Sequence, residues 1–482
     1  MATARSRAPE IPDNLEWLNI DAPVTLAAQT GRLVLLDFCN FSSIHCLHVL
    51  SEQRYLNTKY RDDLLILAVH CPKFPGERYG EHVQKAISRH HIRYPVIHDP
   101  EMRLWKAYGV RSWPTQVLID RNGCIVGAQS GEGKVRQLDS FIQKLLTGVD
   151  DSASRRHSSV TIRPKPETGK ELSFPGRVIA AGNKVCIADS GHNRILVTSH
   201  NGQVLRQYGT SSAGFFDGKG IDAAFDDPHG MVLVDDYLYV ADTGNHAIRR
   251  INLHTDAVDT IAGTGIAAQQ PVNGVLTAIT VDLNSPGDLA YRDGTLYITM
   301  TGLHQIWRLS LLDRTIEVFS GSGKEGLVDG KRQLAAFAQP SGVAVIRNKL
   351  YVTDAEASAV RCVDVTTGVV TTLVGKGLFE YGDSDGPGTT ARLQFPLAVG
   401  ADQARNTLWI ADTYNNKIKK ISLDYRSVSS IAINWRLDEP GGLVFHDDTL
   451  YIANTNSHEI LRVTLHDKHA EALNVQNELA DF

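Results

Sequence analysis

A short phrase returns six times after residue 174, and this repetition constrains the fold more than any other feature of the chain. Each copy opens with a proline-bearing turn, runs through an apolar strand and closes on a polar turn that leads into another strand. Repeats of 42 to 58 residues with several short strands each are typical of propellers and solenoids, because one unit cannot bury its own apolar face. Six copies predict a closed ring of six blades. The second halves of the copies read VCIADSGHNRI, LYVADTGNHAI, LYITMTGLHQI, LYVTDAEASAV, LWIADTYNNKI and LYIANTNSHEI.

The length of the chain leaves room for a second domain before the repeats. Six blades of about 40–50 residues need about 250–300 of the residues, and the chain has 482. We therefore expect one domain at 1–150, a polar linker at 151–170 and the propeller at 171–482. The apolar segment 160–162 within the linker is a candidate extra strand for the last blade.

Charge and composition narrow the classes of function. Lys plus Arg against Asp plus Glu gives 18 against 16 for residues 1–150, 5 against 2 for 151–170 and 26 against 36 for 171–482. The propeller therefore carries a net charge of −10, which argues against nucleic acid as a partner because that ligand needs a basic surface. No apolar run approaches the length of a membrane span, and the first residues lack the apolar stretch of a signal peptide. These features predict a cytoplasmic protein with no membrane contact.

Helical and strand patterns alternate through residues 1–150, which is typical of an α/β layer fold. The two longest apolar runs, at 33–38 and 64–69, have the pattern of central parallel strands. Asn122 and Gly123 form a tight hairpin turn. The predicted strands are 33–38, 64–69, 94–97, 116–119 and 124–127, and the predicted helices are 22–28, 43–60, 82–91, 102–108 and 135–146.

Three marks in residues 31–146 resemble the thioredoxin fold: LVLLDF before the expected active-site turn, WPT about seventy residues later, and DRNG before the last helix. The resemblance implies that Pro114 is the cis-proline of that fold, and that Trp113 and Pro114 lie on a loop that presents backbone to peptide-like partners. The recurring phrase of residues 171–465 resembles NHL repeats. The predicted fold class is therefore an α/β thioredoxin-like fold followed by an all-β six-bladed NHL propeller.

The thiol chemistry that this resemblance implies is incomplete. A thioredoxin-type oxidoreductase needs C-x-x-C at the start of its first helix, where the first cysteine is the nucleophile and the second resolves the mixed disulfide. The aligned tetrapeptide here is Ser43-Ile44-His45-Cys46. A serine hydroxyl does not ionise near neutral pH and cannot exchange with a disulfide, so the two-cysteine cycle is lost at this turn.

Three alternatives keep thiol chemistry open. Cys39 is able to pair with Cys46 across the loop, Cys71 is able to pair with Cys39 from the neighbouring strand, and Cys46 is able to act alone beside His45. Against them stands the interpretation that these cysteines are small buried apolar side chains. Ser43 has a structural role of its own as an N-cap. The six cysteines, at 39, 46, 71, 124, 186 and 362, show no zinc spacing.

The Asp of the phrase (Asp189, Asp242, Asp354 and Asp412) invites a catalytic or metal-binding interpretation. Its fixed place in each blade instead indicates a structural role, in which the carboxylate accepts N–H groups of the turn. The histidines of these turns shift their register from copy to copy, so they do not predict a zinc site in the channel. We predict no cofactor and no metal.

Long glycine-rich loops precede several blades and share an Asp-Gly step, at Asp217, Asp329 and Asp385. Loops on a rigid scaffold are a common place for binding, so the three Asp residues are candidate partner-binding residues. The alternative is that the loops lock neighbouring blades. Their G-x-G is not followed by a helix, so it does not indicate a nucleotide site.

These observations favour a protein-interaction scaffold that binds a protein partner through the propeller rim, with the thioredoxin-like cleft as a second surface. The alternative is an atypical thiol-disulfide oxidoreductase or redox sensor that uses Cys46, with Ser43, Cys39 and Pro114 around it. A third interpretation, a hydrolase or lyase with a metal in the channel, has no support from the pattern of histidines.

Overall fold

The computed structural model describes residues 6–147, 160–165 and 169–477, and the chain divides after residue 168 into two units. Most of the predicted linker, at 151–159 and 166–168, lies outside the described residues. No helix in the described residues is long and apolar enough to cross a membrane.

The first unit is a six-stranded sheet with helices packed on it. The two apolar runs become β2 and β3, which pair in parallel at the centre of the sheet, and the order across the sheet is β1-β4-β3-β2-β5-β6. The strands are β1 (Glu16–Leu18), β2 (Leu33–Cys39), β3 (Leu64–His70), β4 (Val96–His98), β5 (Thr115–Ile119) and β6 (Ile125–Ser130). The helices are α1 (Ile44–Lys59), α2 (Gly80–Arg89), α3 (Arg103–Ala107) and α4 (Val135–Leu146).

Alternating side chains of the central strands fill two apolar clusters, one on each face of the sheet. Leu33, Leu35 and Cys39 of β2 belong to the cluster beneath α1, whereas Phe38 belongs to the other. This is the alternation that a strand imposes when both of its faces are covered.

One prediction for this unit is wrong, and one possibility that the sequence left open is not realised. The only helical feature near residues 22–28 is a single 3₁₀ turn, Ala27–Gln29. Pro23 disfavours helix at the residue before it, and the Glu10 carboxylate accepts the N–H groups of Leu26 and Ala27. Segment 160–162 does not extend the last blade. Ile162 forms an antiparallel bridge with Ile20 of the first unit instead.

The second unit consists of six antiparallel sheets, one for each copy of the phrase, and its first and last sheets have four strands. The first sheet contains β7 (Arg177–Ala181), β8 (Lys184–Asp189), β9 (Arg194–Ser199) and β10 (Val204–Tyr208). The second contains β11 (Gly218–Lys219), β12 (Pro228–Val234), β13 (Tyr237–Asp242), β14 (Ala247–Asn252) and β15 (Ala257–Ala262). The third contains β16 (Leu276–Thr277), β17 (Pro286–Arg292), β18 (Thr295–Met300), β19 (Gln305–Ser310) and β20 (Thr315–Ser320).

The remaining sheets repeat this plan. The fourth contains β21 (Gly330–Lys331), β22 (Pro340–Ile346), β23 (Lys349–Asp354), β24 (Ala359–Asp364) and β25 (Val369–Val374). The fifth contains β26 (Gly386–Pro387), β27 (Ala398–Asp402), β28 (Thr407–Asp412), β29 (Lys417–Ser422) and β30 (Ser427–Ser430). The last contains β31 (Pro440–His446), β32 (Thr449–Asn454), β33 (Glu459–Thr464) and β34 (Ala470–Ala472).

The six sheets close into a ring. The strands β7, β12, β17, β22, β27 and β31 pack on one another in this order, and β31 packs back on β7. The C-terminal segment adds a second closure, since Gln476 bridges Gln203 of the first blade. The predicted fold, a thioredoxin-like α/β domain followed by a six-bladed propeller, is confirmed.

A hydrogen bond donated by a hydroxyl group links one blade to the next. The residue after the Asp position donates its hydroxyl to the carbonyl of the proline that opens the following blade, and Thr455 donates to Pro175 across the closure. The other bonds are Ser190 to Pro228, Thr243 to Pro286, Thr301 to Pro340 and Thr413 to Pro440. The fourth blade has Ala355 at this position.

Candidate functional site

The start of α1 holds the tetrapeptide that replaces C-x-x-C. Ser43 occupies the N-cap position and is buried, but its hydroxyl does not cap the helix. The Sγ atom of Cys46 accepts the backbone N–H of Asn40 at 3.4 Å. The Asn40 side chain is itself held, since its Nδ2 donates to Glu77 at 2.9 Å. The turn is tightly packed, and its single sulfur atom, Sγ of Cys46, is buried.

The three cysteines of this region are fully buried, each with 0% of its surface exposed. Burial raises the pKa of Cys39 and of Cys71 well above the ordinary thiol value, and the nearby acidic groups and thiols add to the effect. Cys39 and Cys46 belong to one apolar cluster, whereas Cys71 belongs to the cluster on the other face of the sheet. This placement brings Cys39 and Cys46 to the same side of the sheet. The high pKa values of Cys39 and Cys71 suppress the thiolate form that disulfide exchange needs.

A buried carboxyl group lies on β2 beneath the turn. Burial raises the pKa of Asp37 to about 7, and Asp37 in turn contributes to the raised pKa of Cys39. A second buried group, His70 on the neighbouring strand, has its pKa lowered to about 3 by burial. Both side chains therefore favour their neutral forms in the folded state.

The peptide bond between Trp113 and Pro114 is cis, which confirms the prediction for Pro114. The Pro114 carbonyl accepts the N–H of Gly131 at 2.9 Å. Trp113 packs against Trp105 with ring centroids 4.7 Å apart and stays partly exposed. Partner binding by Trp113 stays a prediction.

A group of three titratable side chains at the start of α1 was not found from the sequence. Nδ1 of His45 lies 2.8 Å from a carboxylate oxygen of Glu132, and Nδ1 of His48 contacts the other oxygen. Burial alone would raise the pKa of Glu132, but the hydrogen bonds to both histidines lower it to about 2. The His-x-x-His spacing on a helix was the available signal, since residues three apart share a face.

In the propeller, the Asp of the phrase has the predicted structural role. One oxygen of Asp189 accepts the N–H of Ser173 at 2.7 Å, and the other contacts His192 and Arg194. The same N–H bond recurs for Asp242, Asp354 and Asp412, and through the amide oxygen of Asn454. At Met300 the thioether sulfur accepts it instead.

The histidines of these turns link blades and do not converge. The residue four places after the Asp position has positive φ, which permits its side chain to accept the N–H that precedes the next proline. His246, His304 and His458 do this with Nδ1, at 3.0 to 3.1 Å. Asn193, Ser358 and Asn416 do it with oxygen in the other copies.

Three blades hold a fully buried cation seven residues after the Asp position: Arg249, Arg361 and Lys419, each with 0% exposure. These are the blades with the Asp-Gly loops. Arg361 pairs with the buried Asp354 and with Asp329 of the loop, both at 3.0 Å. The other blades have Leu196, Trp307 and Leu461 at this position, so a correlation between copies was the signal that sequence reasoning missed.

Asp217, Asp329 and Asp385 therefore anchor their loops within their own blades. Asp217 accepts from Arg249 and Thr260, Asp329 from Arg361 and Thr372, and Asp385 from Lys419 and Ser430. These contacts hold each loop on its own blade, whereas the alternative from the sequence was that the loops lock neighbouring blades. About half of each carboxylate side chain stays exposed, and partner binding by them stays a prediction.

The centre of the ring is occupied by the buried side chain of Arg177. Its guanidinium donates to the carbonyls of Ser341, at 3.2 Å, and Leu397, at 2.8 Å, and contacts that of Gly441. These carbonyls belong to the fourth, fifth and sixth blades, so one side chain of the first blade reaches across the channel. The arrangement fills the place that a channel-centred metal would need.

The fold and the site define a fusion of a thioredoxin-like domain that lacks the first cysteine of C-x-x-C with a six-bladed propeller. A family model described as thioredoxin-like matches residues 31–125. NHL repeat-containing protein 2 from Bos taurus is 34% identical over 511 residues, which cover 95% of this chain and 70% of the relative. The same protein from Homo sapiens is 34% identical over 518 residues, which cover 96% and 71%. The chain belongs to the family of NHL repeat-containing protein 2.

The sequence of a plant relative is similar over nearly the whole of this chain. Protein SUPPRESSOR OF QUENCHING 1, chloroplastic, from Arabidopsis thaliana is 34% identical over 493 residues, which cover 95% of this chain and 46% of the relative. Similarity therefore extends over both units.

Proposed function

We propose that the chain is a protein-interaction scaffold, in which a thioredoxin-like domain without the two-cysteine cycle is joined to a propeller whose rim binds a protein partner. The observation that carries this proposal is the turn at the start of α1. Ser43 stands where the nucleophilic thiol is needed, and Cys46 is fully buried. A site that exchanges disulfides needs an accessible sulfur that forms a thiolate.

The loops before the second to fifth blades support a binding rim. These rim loops are residues 209–227, 263–285, 321–339 and 375–395. Exposed apolar side chains that cluster on one part of a surface are typical of interaction sites. In the described residues the rim loops carry nine exposed large apolar side chains: Phe216, Ile221, Ile266, Val272, Val275, Ile279, Val328, Leu334 and Phe379.

The charge of the propeller favours a protein partner over nucleic acid, since its net value is −10 and a polyanion would be repelled. We place the protein in a reducing compartment, with the cytoplasm as the first candidate, because its six cysteines are unpaired thiols. The name of the plant relative assigns that protein to the chloroplast.

The absence of a two-cysteine cycle is tested by intact mass and thiol labelling after equilibration of native protein with graded ratios of reduced to oxidised glutathione. We expect the wild-type protein to keep six reduced thiols across the range. Ser43→Cys is the matched positive control, because it restores both sulfurs at the turn and should form a reversible disulfide with Cys46. A reversible disulfide of Cys46 in the wild-type protein would contradict the proposal.

The binding rim is tested by a pair of surface variants. Phe216→Ser with Leu334→Ser removes two apolar groups from the rim loops, whereas Leu312→Ser with Tyr425→Ser removes two that are more exposed but lie outside them. We expect a partner that is crosslinked to the wild-type protein to lose at least about tenfold in affinity for the rim variant, as hot-spot residues do, and to keep its affinity for the control. Equal loss in both variants would remove the rim from the proposal.

The second candidate function is an atypical thiol oxidoreductase or redox sensor. It is favoured by the placement of Cys39 and Cys46 in the same apolar cluster, where the two thiols are close enough to interact. In the glutathione experiment this candidate predicts a Cys39–Cys46 disulfide, which Cys39→Ser abolishes and Cys71→Ser leaves intact.

A further inference from the structure

The two histidines of α1 and the carboxylate of Glu132 place three ligand atoms close together. One ring nitrogen of His45, one of His48 and a carboxylate oxygen of Glu132 all lie within 4.8 Å of one another, and Nδ1 of each histidine contacts the carboxylate. The side chains are 27%, 17% and 22% exposed, respectively. They are therefore shielded from bulk solvent but open to a small ion.

The loop that carries Glu132 is held against α1 from two sides. Gly131 and Gly133 flank Glu132 and both have positive φ, at 88° and 73°, a conformation that glycine adopts without strain. Gly131 donates to the carbonyl of Pro114, and Gly133 donates at 2.8 Å to Glu52, one turn beyond His48 on α1. The carboxylate is thus presented to the histidines by fixed backbone.

Local charge favours a cation at this place. Glu52 lies one turn beyond His48 on α1 and accepts the N–H of Gly133, next to Glu132, so two carboxylates lie beside the histidines. The helix start itself contributes a partial positive charge, which opposes a cation. Two carboxylates more than offset a partial charge of about half a unit.

We propose that His45, His48 and Glu132 form a binding site for a divalent transition-metal ion, with Zn²⁺ as the representative. Imidazole nitrogen and carboxylate oxygen are the donors that Zn²⁺ and its neighbours Co²⁺ and Ni²⁺ accept. Three protein ligands leave a fourth tetrahedral position for water or for a donor from a partner.

Binding of the ion replaces the hydrogen bonds of the site. Each histidine Nδ1 that donates to the Glu132 carboxylate carries a proton. Coordination through Nδ1 requires a neutral imidazole with its proton on Nε2, so a neutral ring changes tautomer as the ion binds and a protonated ring releases one proton to solvent. No residue is oxidised or reduced in this step. The site stands on the geometry of the first unit and does not depend on the proposed scaffold function.

Isothermal titration of untagged, EDTA-treated full-length protein with ZnCl₂ tests the site, with Co²⁺ absorption as a second readout of tetrahedral coordination. We expect one Zn²⁺ per chain. Glu132→Gln and His48→Gln should each weaken binding by at least about 100-fold, since loss of an outer neighbour alone costs about 10–100-fold. His254→Gln, at an exposed histidine of the propeller, is the matched control and should bind as the wild-type protein does.

Thermal unfolding separates ligand loss from misfolding. Zn²⁺ should raise the Tm of the wild-type protein and of His254→Gln, because an ion that binds only the folded state stabilises it, and should leave the Tm of Glu132→Gln unchanged. A wild-type protein with no saturable Zn²⁺ binding would overturn the proposal. So would a folded Glu132→Gln variant that binds Zn²⁺ with undiminished affinity.

Discussion

Nε of Arg177 lies 3.7 Å from Oδ2 of Asp288, which joins the first blade to the third through the centre of the ring. Both side chains are buried, with Arg177 and Asp288 at 8% and 11% exposure. The two oxygens of Asp288 also accept the N–H groups of Leu289 and Val343. Burial raises the pKa of Asp288, while Arg177 lowers it. The pair is therefore a buried ion pair that connects two blades inside the propeller.

We expect Arg177→Met to destabilise the protein by about 3–5 kcal/mol, because it leaves the Asp288 carboxylate buried without its cation. Adding Asp288→Asn to that variant should recover part of the loss. Urea unfolding of the full chain measures both. Arg163→Met removes an arginine whose ion pair with Asp21 lies at the surface and should cost no more than about 1 kcal/mol. Equal costs for Arg177→Met and Arg163→Met would contradict this prediction.

The raised pKa of Asp37 leads us to predict that the stability of the protein depends on pH. This pKa is 3.8 in the unfolded chain and about 7 in the folded protein, so between these values the folded state binds a proton that the unfolded state has released. The contribution of Asp37 to stability should therefore fall as pH rises from about 4 to about 7, by about 4 kcal/mol for a difference of about three pH units.

Asp37→Asn removes this titration while leaving the other buried groups, such as His70, in place. The stability of Asp37→Asn relative to the wild-type protein should increase between pH 4 and pH 7 and stay constant above it. Urea unfolding of both proteins at several pH values measures the difference. A difference that does not vary with pH would show that Asp37 ionises in the folded state as it does in the unfolded chain.

Ala355 lies in the fourth blade at the position where the other five blades have a Ser or Thr hydroxyl that donates to the next blade. We expect Ala355→Ser to stabilise the propeller by about 0.5–1.5 kcal/mol, which is the net value of a hydrogen bond formed on folding. Thr413→Ala, at the same position of the next blade, should destabilise it, because it leaves the Pro440 carbonyl without its donor. Thermal unfolding checks both directions. Destabilisation by Ala355→Ser would mean that the buried position has no room for oxygen.

The pair of Asp329 and Arg361 tests whether the rim loop 321–339 is held on its own blade by this contact. Asp329→Ala should cost about 1–2 kcal/mol, because a charged hydrogen bond to a buried guanidinium is lost but the carboxylate is half exposed. In an Arg361→Met background the same change should cost less, since the partner is already gone. Additive losses in this double-mutant cycle would show that the loop is held by other contacts.

The architecture was readable from the sequence because it repeats. The Asp position recurs in fixed register, and the N–H bond that it accepts recurs with it even where Met300 or Asn454 takes its place. The absence of the first cysteine of C-x-x-C was readable because a single position, Ser43, decides it. The cis bond before Pro114 was predictable only through the resemblance to thioredoxin.

The remaining features depend on contacts that occur once. Arg177 stands two residues after the opening proline, where four other copies have glycine or alanine and the third has Asp288. Its side chain is accommodated because those residues are small: a Cβ on Gly442 would lie 3.1 Å from the Arg177 Cδ. Glu132 lies 87 residues from His45, and only the folded sheet brings them together. Ile162 joins the first unit through a pairing with Ile20 that no local pattern encodes.

The bond from Thr455 to Pro175, with the pairing of Gln476 and Gln203, has a consequence for synthesis of the chain on the ribosome. Domains usually fold as units in the order in which they emerge, and the strands and helices of the first unit lie within residues 16–146. The first blade has to wait for the last, about 300 residues later. Until that segment emerges, β7 lacks the packing of β31, and the nascent propeller is an open row of sheets. During that interval its exposed edges are able to associate with other chains.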